Sequence, residues 1–597
     1  MTMIKERLEK LRSLMAERNM DAYMIPTSDF HESEYVGSYF KCREFMTGFT
    51  GSAGTVVITM NEAGLWTDGR YFVQAAKQLE GSSITLRKMG YPGVPTIEEY
   101  LEQVLPEGGC IGFDGRVVSG QNGQELEDLL GEKNITLSNE EDLVDVIWKE
   151  RPSLSAEPVW ILKESYAGLA SSEKIKELRS KMKKEKATAH VLTTLDDIAW
   201  LLNIRGNDIE CTPVVLAYAL ITLDEFSLFI NDQVLNEEVK AYLKELGVSI
   251  CPYDSIYEVV GQLKDQKILL ETGKVNYSIV KGIADSNRII DKMNPTVLSK
   301  ALKNPVEVEN MKLAHIKDGV ALVKFIYWLK HNVGKERITE VSAQSYLDQL
   351  RSKQEGNLGL SFDTISAYGA NAAMCHYKAV PENDTVIEPK GLYLVDSGGQ
   401  YYEGTTDVTR TIAVGPLTNT EREHFTLTVM SMLRLGAVKF LYGCRGLTLD
   451  YVAREPFWSR GINYDHGTGH GVGYLLNVHE RPNGIRWRMV PERQDNAILE
   501  EGMVTSDEPG VYIEGSHGVR TENLIVCKKA EENEYGQFME FEFLTMAPID
   551  LEALDTSIMT EEDVRLLNKY HKEVYEKLSP YLSKEEALWL KENTKSV

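Results

Sequence analysis

Residues 392–414, LYLVDSGGQYYEGTTDVTRTIAV, decide how the rest of the chain is read. Two short apolar runs flank a Gly-rich turn, with Asp396 on the first run and Asp407 on the second. A hairpin sets such residues side by side, with Cβ atoms roughly 5 Å apart across an antiparallel pair. Two half-buried carboxylates that close repel each other, so one takes a proton or a cation sits between them. Either aspartate alone reads as a turn former, as Asp before Ser-Gly-Gly often is. The residues downstream shift that balance.

In YDHGTGHGVGYLLNVHERP stand His466, His470 and His479. The spacing of His466 and His470 suits a helical zinc pair. The alternating Gly467, Gly469, Gly471 and Gly473 argue against a helix, because each costs about 1 kcal/mol relative to Ala. The same glycines suggest a phosphate loop, but no lysine and no strand–loop–helix context accompanies them. Further on, Glu508 precedes the turn signal Pro509-Gly510, and Glu522 lies in a strand-like run between Val519 and Leu524. An acidic residue in a buried strand needs a partner, and Arg520 or solvent would serve for either glutamate alone. Taken together, Asp396, Asp407, His470, Glu508 and Glu522 bring four carboxylates and one imidazole. Two divalent cations balance four ionised carboxylates, and hard oxygen donors suit Mn²⁺ better than a thiolate-type zinc site. Paired ions roughly 3.5–4 Å apart can stabilise both ends of a displacement.

The remainder of the chain reads as three further regions. At 597 residues it exceeds one core. With 43% hydrophobic and 26% charged residues it has the composition of a soluble globular protein. A net charge of −25 argues against nucleic acid or an anionic membrane as partner. The first helix, with Ile4, Leu8, Leu11 and Met15 on one face, lacks the apolar core of a signal peptide. The most apolar run, Val214–Leu223, is too short to span a bilayer. Seven scattered cysteines without a Cys-x-x-Cys pair suit free thiols in a reducing, cytoplasmic compartment.

DAYMIPTSDF reads as a strand entering a loop. TGFTGSAGTVVITMNEAGLWTDGRYFVQAAKQL reads as strand, Asn-Glu-Ala-Gly turn, strand and helix. ATAHVLTTLDDIAWLLNIRG and VVLAYALITLDEFSLFIN repeat that pattern, so two similar α/β domains are expected over 1–155 and 156–300. The apolar periodicity breaks around Glu150–Ser153 and Ala156-Glu-Pro. A third domain, 301–545, opens with a helix led by Pro305 whose apolar face begins at Met311, Ala314, Val320 and Val323. A second helix, strand-like SFDTISAYGANAAMCHYKA and the Asp hairpin follow it. Thr418 and Glu421 make a capping box for a helix expected to run through Tyr442. Residues 546–597 read as a helical extension starting at Thr560 and Ser583, packed on the main domain or on a second subunit.

The motifs VDSGGQYYEGTTDVTRT, HGTGHGVG, DEPGVY and GVRTEN, in the order Asp, Asp, His, Glu, Glu, resemble the pita-bread metallopeptidases. Within them the chain is similar to the long three-domain aminopeptidase P (Xaa-Pro aminopeptidase) group along nearly its whole length. TGFTGSAGT and WTDGRY belong to this likeness in the first domain. The resemblance implies an α/β and α+β architecture: two creatinase/prolidase-type N-terminal domains, a pita-bread catalytic domain and a helical tail. It implies peptides with N-terminal Xaa-Pro as substrates, and a homodimer. It implies that Asp407 and Glu522 bridge two metal ions, that Asp396 serves one, and that His470 and Glu508 serve the other. A bridging hydroxide would then attack the carbonyl of the first residue, with the free amine near the metals and Asp396. His376 and His479 match histidines that hydrogen-bond the carbonyl or the developing oxyanion, where donors are needed. Glu508 would shuttle the proton to the leaving nitrogen. His466 would stand near the proline, and Arg520 would orient a ligand carboxylate.

Three other readings stay in view. Val-Asp396-Ser397-Gly-Gly resembles the nucleophile motif of trypsin-like serine proteases, but the chain lacks their Ala-Ala-His-Cys context. Pita-bread relatives that have lost ligands act as binding modules or work without metal, whereas this chain carries all five. Prolidases share the five ligands and usually carry one small N-terminal domain rather than two.

Overall fold

The computed structural model describes residues 2–597, which fall into two compact units. One unit holds the chain through Ile161 together with Ser171–Thr296, and the other holds Leu162–Ala170 with Val297–Val597.

The first unit contains one architecture twice. Strands β1 (Ala22–Pro26), β2 (Thr55–Thr59), β3 (Ala63–Thr67), β4 (Thr85–Lys88), β5 (Cys110–Gly112) and β6 (Thr136–Ser138) form a sheet in the order β4-β3-β2-β1-β5-β6. Strands β7 (Ala189–Leu192), β8 (Ala217–Thr222), β9 (Phe226–Ile230), β10 (Val248–Cys251), β11 (Lys267–Leu270) and β12 (Arg288–Asp291) repeat it as β10-β9-β8-β7-β11-β12. The directions match pair for pair: β1–β2 and β7–β8 are antiparallel, while β1–β5 and β7–β11 are parallel. Even the hairpin chemistry recurs. Thr59 Oγ1 accepts from the Asn61 and Glu62 amides, and Thr222 Oγ1 accepts from the Asp224 and Glu225 amides. The first turn therefore lies at Met60–Glu62. The expected turn residues Ala63 and Gly64 are instead paired in β3 with Ile58 and Val57, because the Thr59 hydroxyl closes the turn one step earlier. The second copy also departs from a plain loop after its first strand, with a short buried helix at Leu195–Leu201.

In the second unit, α1 (Pro305–Asn332) starts from an Asn304–Glu307 capping box with Pro305 in its first turn, and it buries Met311, Ala314, Val320 and Val323. Helix α2 (Glu340–Ser352) follows. Strands β13 (Ile365–Tyr368), β14 (Leu392–Ser397) and β15 (Val408–Ala413) make an antiparallel sheet with β14 in the middle. Within the strand-like stretch before the Asp hairpin, only Ile365–Tyr368 is strand. Beyond Tyr368 it turns into a 3₁₀ segment, Gly369–Ala373. Helix α3 (Asn419–Gly436) uses the Thr418–Glu421 capping box but stops short of Tyr442. Its expected continuation forms strand β16 (Lys439–Leu441), which pairs with residues 538–540 far along the chain and buries Phe440.

Helix α4 (Gly446–Trp458) separates β16 from the other five strands of a six-stranded sheet, β17 (Gly469–Gly471), β18 (Glu480–Ile485), β19 (Val504–Asp507), β22 (Asn523–Asn533) and β23 (Gly536–Phe543). Its order is β16-β23-β22-β19-β17-β18, and β20 (Gly510–Ile513) with β21 (His517–Arg520) forms a separate hairpin. The tail helices α5 (Glu561–Leu578) and α6 (Lys584–Asn593) start at capping boxes on Thr560 and Ser583. They bury Leu567, Tyr570, Val574, Leu578 and Leu590 in one core with Val320 and Val323 of α1 and Phe425 and Val429 of α3. The tail thus packs on its own unit. No helix among the described residues is long and apolar enough to cross a membrane.

Candidate metal centre

Strands β14 and β15 deliver the first two carboxylates. Asp396 pairs with Thr409 in the middle of the sheet. Asp407 lies one residue before β15 rather than within it. The chain between the strands leaves the sheet to form a side hairpin, Gly399–Tyr401 with Gly404–Thr405, and returns at Val408. Glu522 sits in the two-residue gap between β21 and β22, not inside a strand, and this frees its side chain from sheet alternation. Its amide donates to the Thr409 carbonyl at 3.1 Å, and its Oε2 accepts from Thr409 Oγ1 at 2.7 Å. Arg410 Nη1 donates to the Glu522 carbonyl at 2.7 Å, and Nη2 donates to Tyr570 of α5 at 3.0 Å, so the tail braces Glu522.

His470 lies in β17, a strand as the glycines require. Its Nδ1 sits 2.9 Å from the Gly471 carbonyl, which takes the ring N–H and leaves Nε2 as an acceptor. Nε2 stands 3.5 Å from Asp407 Oδ2 and 3.6 Å from Glu508 Oε1. Glu508 follows β19, where its amide donates to the Thr468 carbonyl at 2.8 Å. Ser506 Oγ donates to Glu508 Oε1 at 3.3 Å and accepts the His470 amide at 3.0 Å. Donor atoms of Asp407, His470 and Glu522 all lie within 4.8 Å of one another.

Arg520 pairs with Asp396. Its Nη2 donates to Asp396 Oδ2 at 2.6 Å, its Nε to Thr409 Oγ1 at 3.2 Å and its Nη1 to the Tyr512 hydroxyl at 2.8 Å. The Tyr512 hydroxyl also lies 2.9 Å from His466 Nε2, while His466 Nδ1 is 2.7 Å from the Gly467 carbonyl. One assignment satisfies every group: His466 donates from Nδ1 to the carbonyl and accepts the Tyr512 O–H at Nε2. Burial and Arg520 push His466 down to about 3, so it is neutral in this chain of contacts. Tyr512 closes the DEPGVY motif, but nothing in the sequence shows that its hydroxyl meets His466 and Arg520.

The two remaining histidines stand differently. The His479 ring meets that of His470 edge-on, with centroids 4.4 Å apart, and its amide donates to Asn477 Oδ1 at 3.2 Å. His376 is half-buried in a turn after the 3₁₀ segment, next to Cys375, whose thiol lies against the Tyr512 hydroxyl. Ser397 Oγ is fully buried with no hydrogen-bond partner among the described residues, which removes it as a nucleophile.

The electrostatics ask for cations. Burial first, then Asp396, pushes Asp407 up to about 8. Burial likewise raises Glu508, and burial with Asp407 raises Glu522 well above the usual carboxylate range. Asp396 Oδ1 is buried without a hydrogen-bond partner among the described residues. Crowded, buried carboxylates around an imidazole nitrogen, one of them with an oxygen that no hydrogen bond reaches among the described residues, fit a pair of hard divalent ions.

Comparison with known proteins agrees with this chemistry. Residues 309–529 match metallopeptidase family M24, and residues 537–597 match the C-terminal region of that family. Residues 7–147 and 150–307 each match the creatinase/prolidase N-terminal domain. A protein of Paracoccidioides brasiliensis named "Probable Xaa-Pro aminopeptidase P" is 39% identical over 615 residues, covering 99% of both chains. The solved X-prolyl aminopeptidase of Caenorhabditis elegans, described as a cytosolic enzyme with a di-nuclear active site, is 36% identical. It superposes with a TM-score of 0.93 and covers 100% of both chains. An Xaa-Pro dipeptidase from Bacillus anthracis, 24% identical with a TM-score of 0.51, covers 64% of this chain and 99% of its own, a likeness of fold alone.

Proposed function

The chain belongs to metallopeptidase family M24, and on that premise we propose that it is a metallo-aminopeptidase removing the first residue from peptides with proline second. The observation that carries this reading is the buried gathering of Asp407, His470 and Glu522 donors in a chain alike over its full length to Xaa-Pro aminopeptidases. Asp396, Asp407, His470, Glu508 and Glu522 would hold two divalent ions, with Asp407 and Glu522 shared between them. Mn²⁺ is our choice among hard ions. When bound, the pair supplies Lewis-acid polarisation and a water of lowered pKa.

The protein's own groups do the rest. Asp396, paired with Arg520, receives the free amine of the substrate. His376 and His479 donate to the carbonyl oxygen of the first residue, where negative charge develops. Glu508 carries a proton to the leaving proline nitrogen. A peptide bond before proline has no N–H and presents a ring. The neutral His466, fixed by Tyr512, forms part of the wall against that ring. The domain limits 1–155, 156–300, 301–545 and 546–597, a homodimeric state and a cytoplasmic location complete the proposal. The location draws on free cysteines and on the cytosolic relative.

One assay tests the function. Xaa-Pro-Yaa peptides should be cut faster than Xaa-Pro dipeptides, releasing only the first residue, with activity lost to chelator and restored by Mn²⁺. Faster hydrolysis of dipeptides, with longer peptides left intact, would make the protein a dipeptidase.

A further inference from the structure

The segment that carries His376 has little regular structure of its own, yet it is fixed from two sides. On one side it rests on β21: a Cβ added to Gly518 would stand 1.8 Å from the Ala372 carbonyl oxygen, so only glycine lets the segment lie this close to the strand bearing Arg520. On the other side stands one carboxylate, Glu340, the first residue of α2 and 0% exposed. It accepts the Tyr368 amide at 2.6 Å, Asn371 Nδ2 at 3.0 and 3.2 Å, and the Tyr377 hydroxyl at 2.7 Å. Asn371 Nδ2 is further placed 3.0 Å from Thr385 Oγ1, and the Glu340 amide donates to the Thr385 carbonyl at 3.0 Å. The donors come from both sides of His376, and Tyr377 is its immediate neighbour.

A carboxylate is the one side chain that only accepts, and here backbone, amide and hydroxyl donors converge on it. A buried anion met by several donors is a rigid anchor, and its loss leaves those donors unpaired. We propose that Glu340 is a positioning residue for the peptidase reaction, aiming His376 at the scissile carbonyl by pinning residues 368–377. The proposal rests on the role given to His376 above. Displacing a positioned group by about 1 Å can cost about 100-fold in rate, so the anchor's effect falls on turnover rather than on affinity.

The test is a double-mutant cycle on the metal-loaded, full-length protein with an Xaa-Pro-Yaa substrate. Glu340→Gln keeps the shape but turns an NH₂ towards the converging donors. It should lower kcat about 10- to 100-fold, leave KM within about threefold and keep the metal content of the parent. Amide hydrogen exchange across residues 369–378 should speed up, a readout independent of turnover. In a His376→Ala background, Glu340→Gln should cost nothing further. Tyr377→Phe, which removes a single donor, should show a smaller loss with the same non-additivity, and it carries the test if Glu340→Gln does not fold. Wild-type kcat in Glu340→Gln beside an impaired His376→Ala, or losses that multiply, overturns this proposal alone. Wild-type turnover in His376→Ala overturns the role of the histidine and the proposal with it.

Discussion

Four carboxyl groups crowded into one buried site make the stability of the metal-free protein depend on protons. Asp407 is the sharpest case, pushed up to about 8 by burial and by Asp396, against about 3.9 in an unfolded chain. Because the folded pKa lies above the unfolded one, the stabilising contribution is complete below about pH 4 and is lost as pH rises through about 8. At about 1.36 kcal/mol per pH unit, with the group half-titrated at the upper limit, Asp407 alone removes about 2 kcal/mol between pH 6 and 8. Glu508 and Glu522 are shifted in the same direction and add to the fall. In a domain of this size the expected drop in Tm is about 3–6 °C. Scanning calorimetry of chelator-stripped protein at pH 6, 7 and 8 measures it. Metal-free Asp407→Asn, in which position 407 cannot titrate, supplies the baseline. The wild-type Tm should fall more steeply than that of the variant. Equal slopes, or a wild-type Tm that rises with pH, would refute the reasoning.

Three further outcomes follow from the same geometry. Asp407→Asn in metal-supplemented protein should abolish turnover and bring bound metal below that of the parent by atomic absorption, because in the proposed assignment one weakened group would serve both ions. His479→Ala should keep its metal and lose about 10²–10³-fold in kcat, the usual cost of an oxyanion donor; loss of metal would make it a ligand instead. Arg520→Lys keeps the charge but loses the fork that joins Asp396, Thr409 and Tyr512. It should cut kcat/KM at least about tenfold without unfolding the protein, as circular dichroism would show.

Local signals in the chain were easier to read than distant partnerships. The capping boxes at Thr418, Thr560 and Ser583 place three helix starts from a few residues each. The repeated strand pattern announces a duplication whose two sheets have one strand order. The end of α3 was not legible, because the residues after Gly436 take their structure from a strand far along the chain. The candidate metal residues stand in motif text, as do Thr409, Arg520 and Tyr512, but that text does not say which residue holds which. Thr409 reaches Glu522 across a separation of 113 residues, and Arg520 reaches Asp396 across 124. Tyr512 and Glu340 look like any surface tyrosine or helix-start glutamate until their partners are seen. Spacing can suggest that acids meet, but only folding decides which neighbour holds each one.

The strand that presents His470 also limits how this protein can change. A Cβ on Gly469 would stand 1.8 Å from the Ser506 carbonyl oxygen, and one on Gly471 would stand 2.3 Å from that of Glu480. Neither glycine has chemistry to perform, yet each is as irreplaceable as the imidazole between them, since even a methyl group would push neighbouring backbones apart. Saturation mutagenesis of the strand would therefore return three positions in a row that tolerate no substitution, and only the middle one would answer to added metal. Variation in metal preference or substrate range has to enter from the surrounding loops, because this strand has no room to accommodate it.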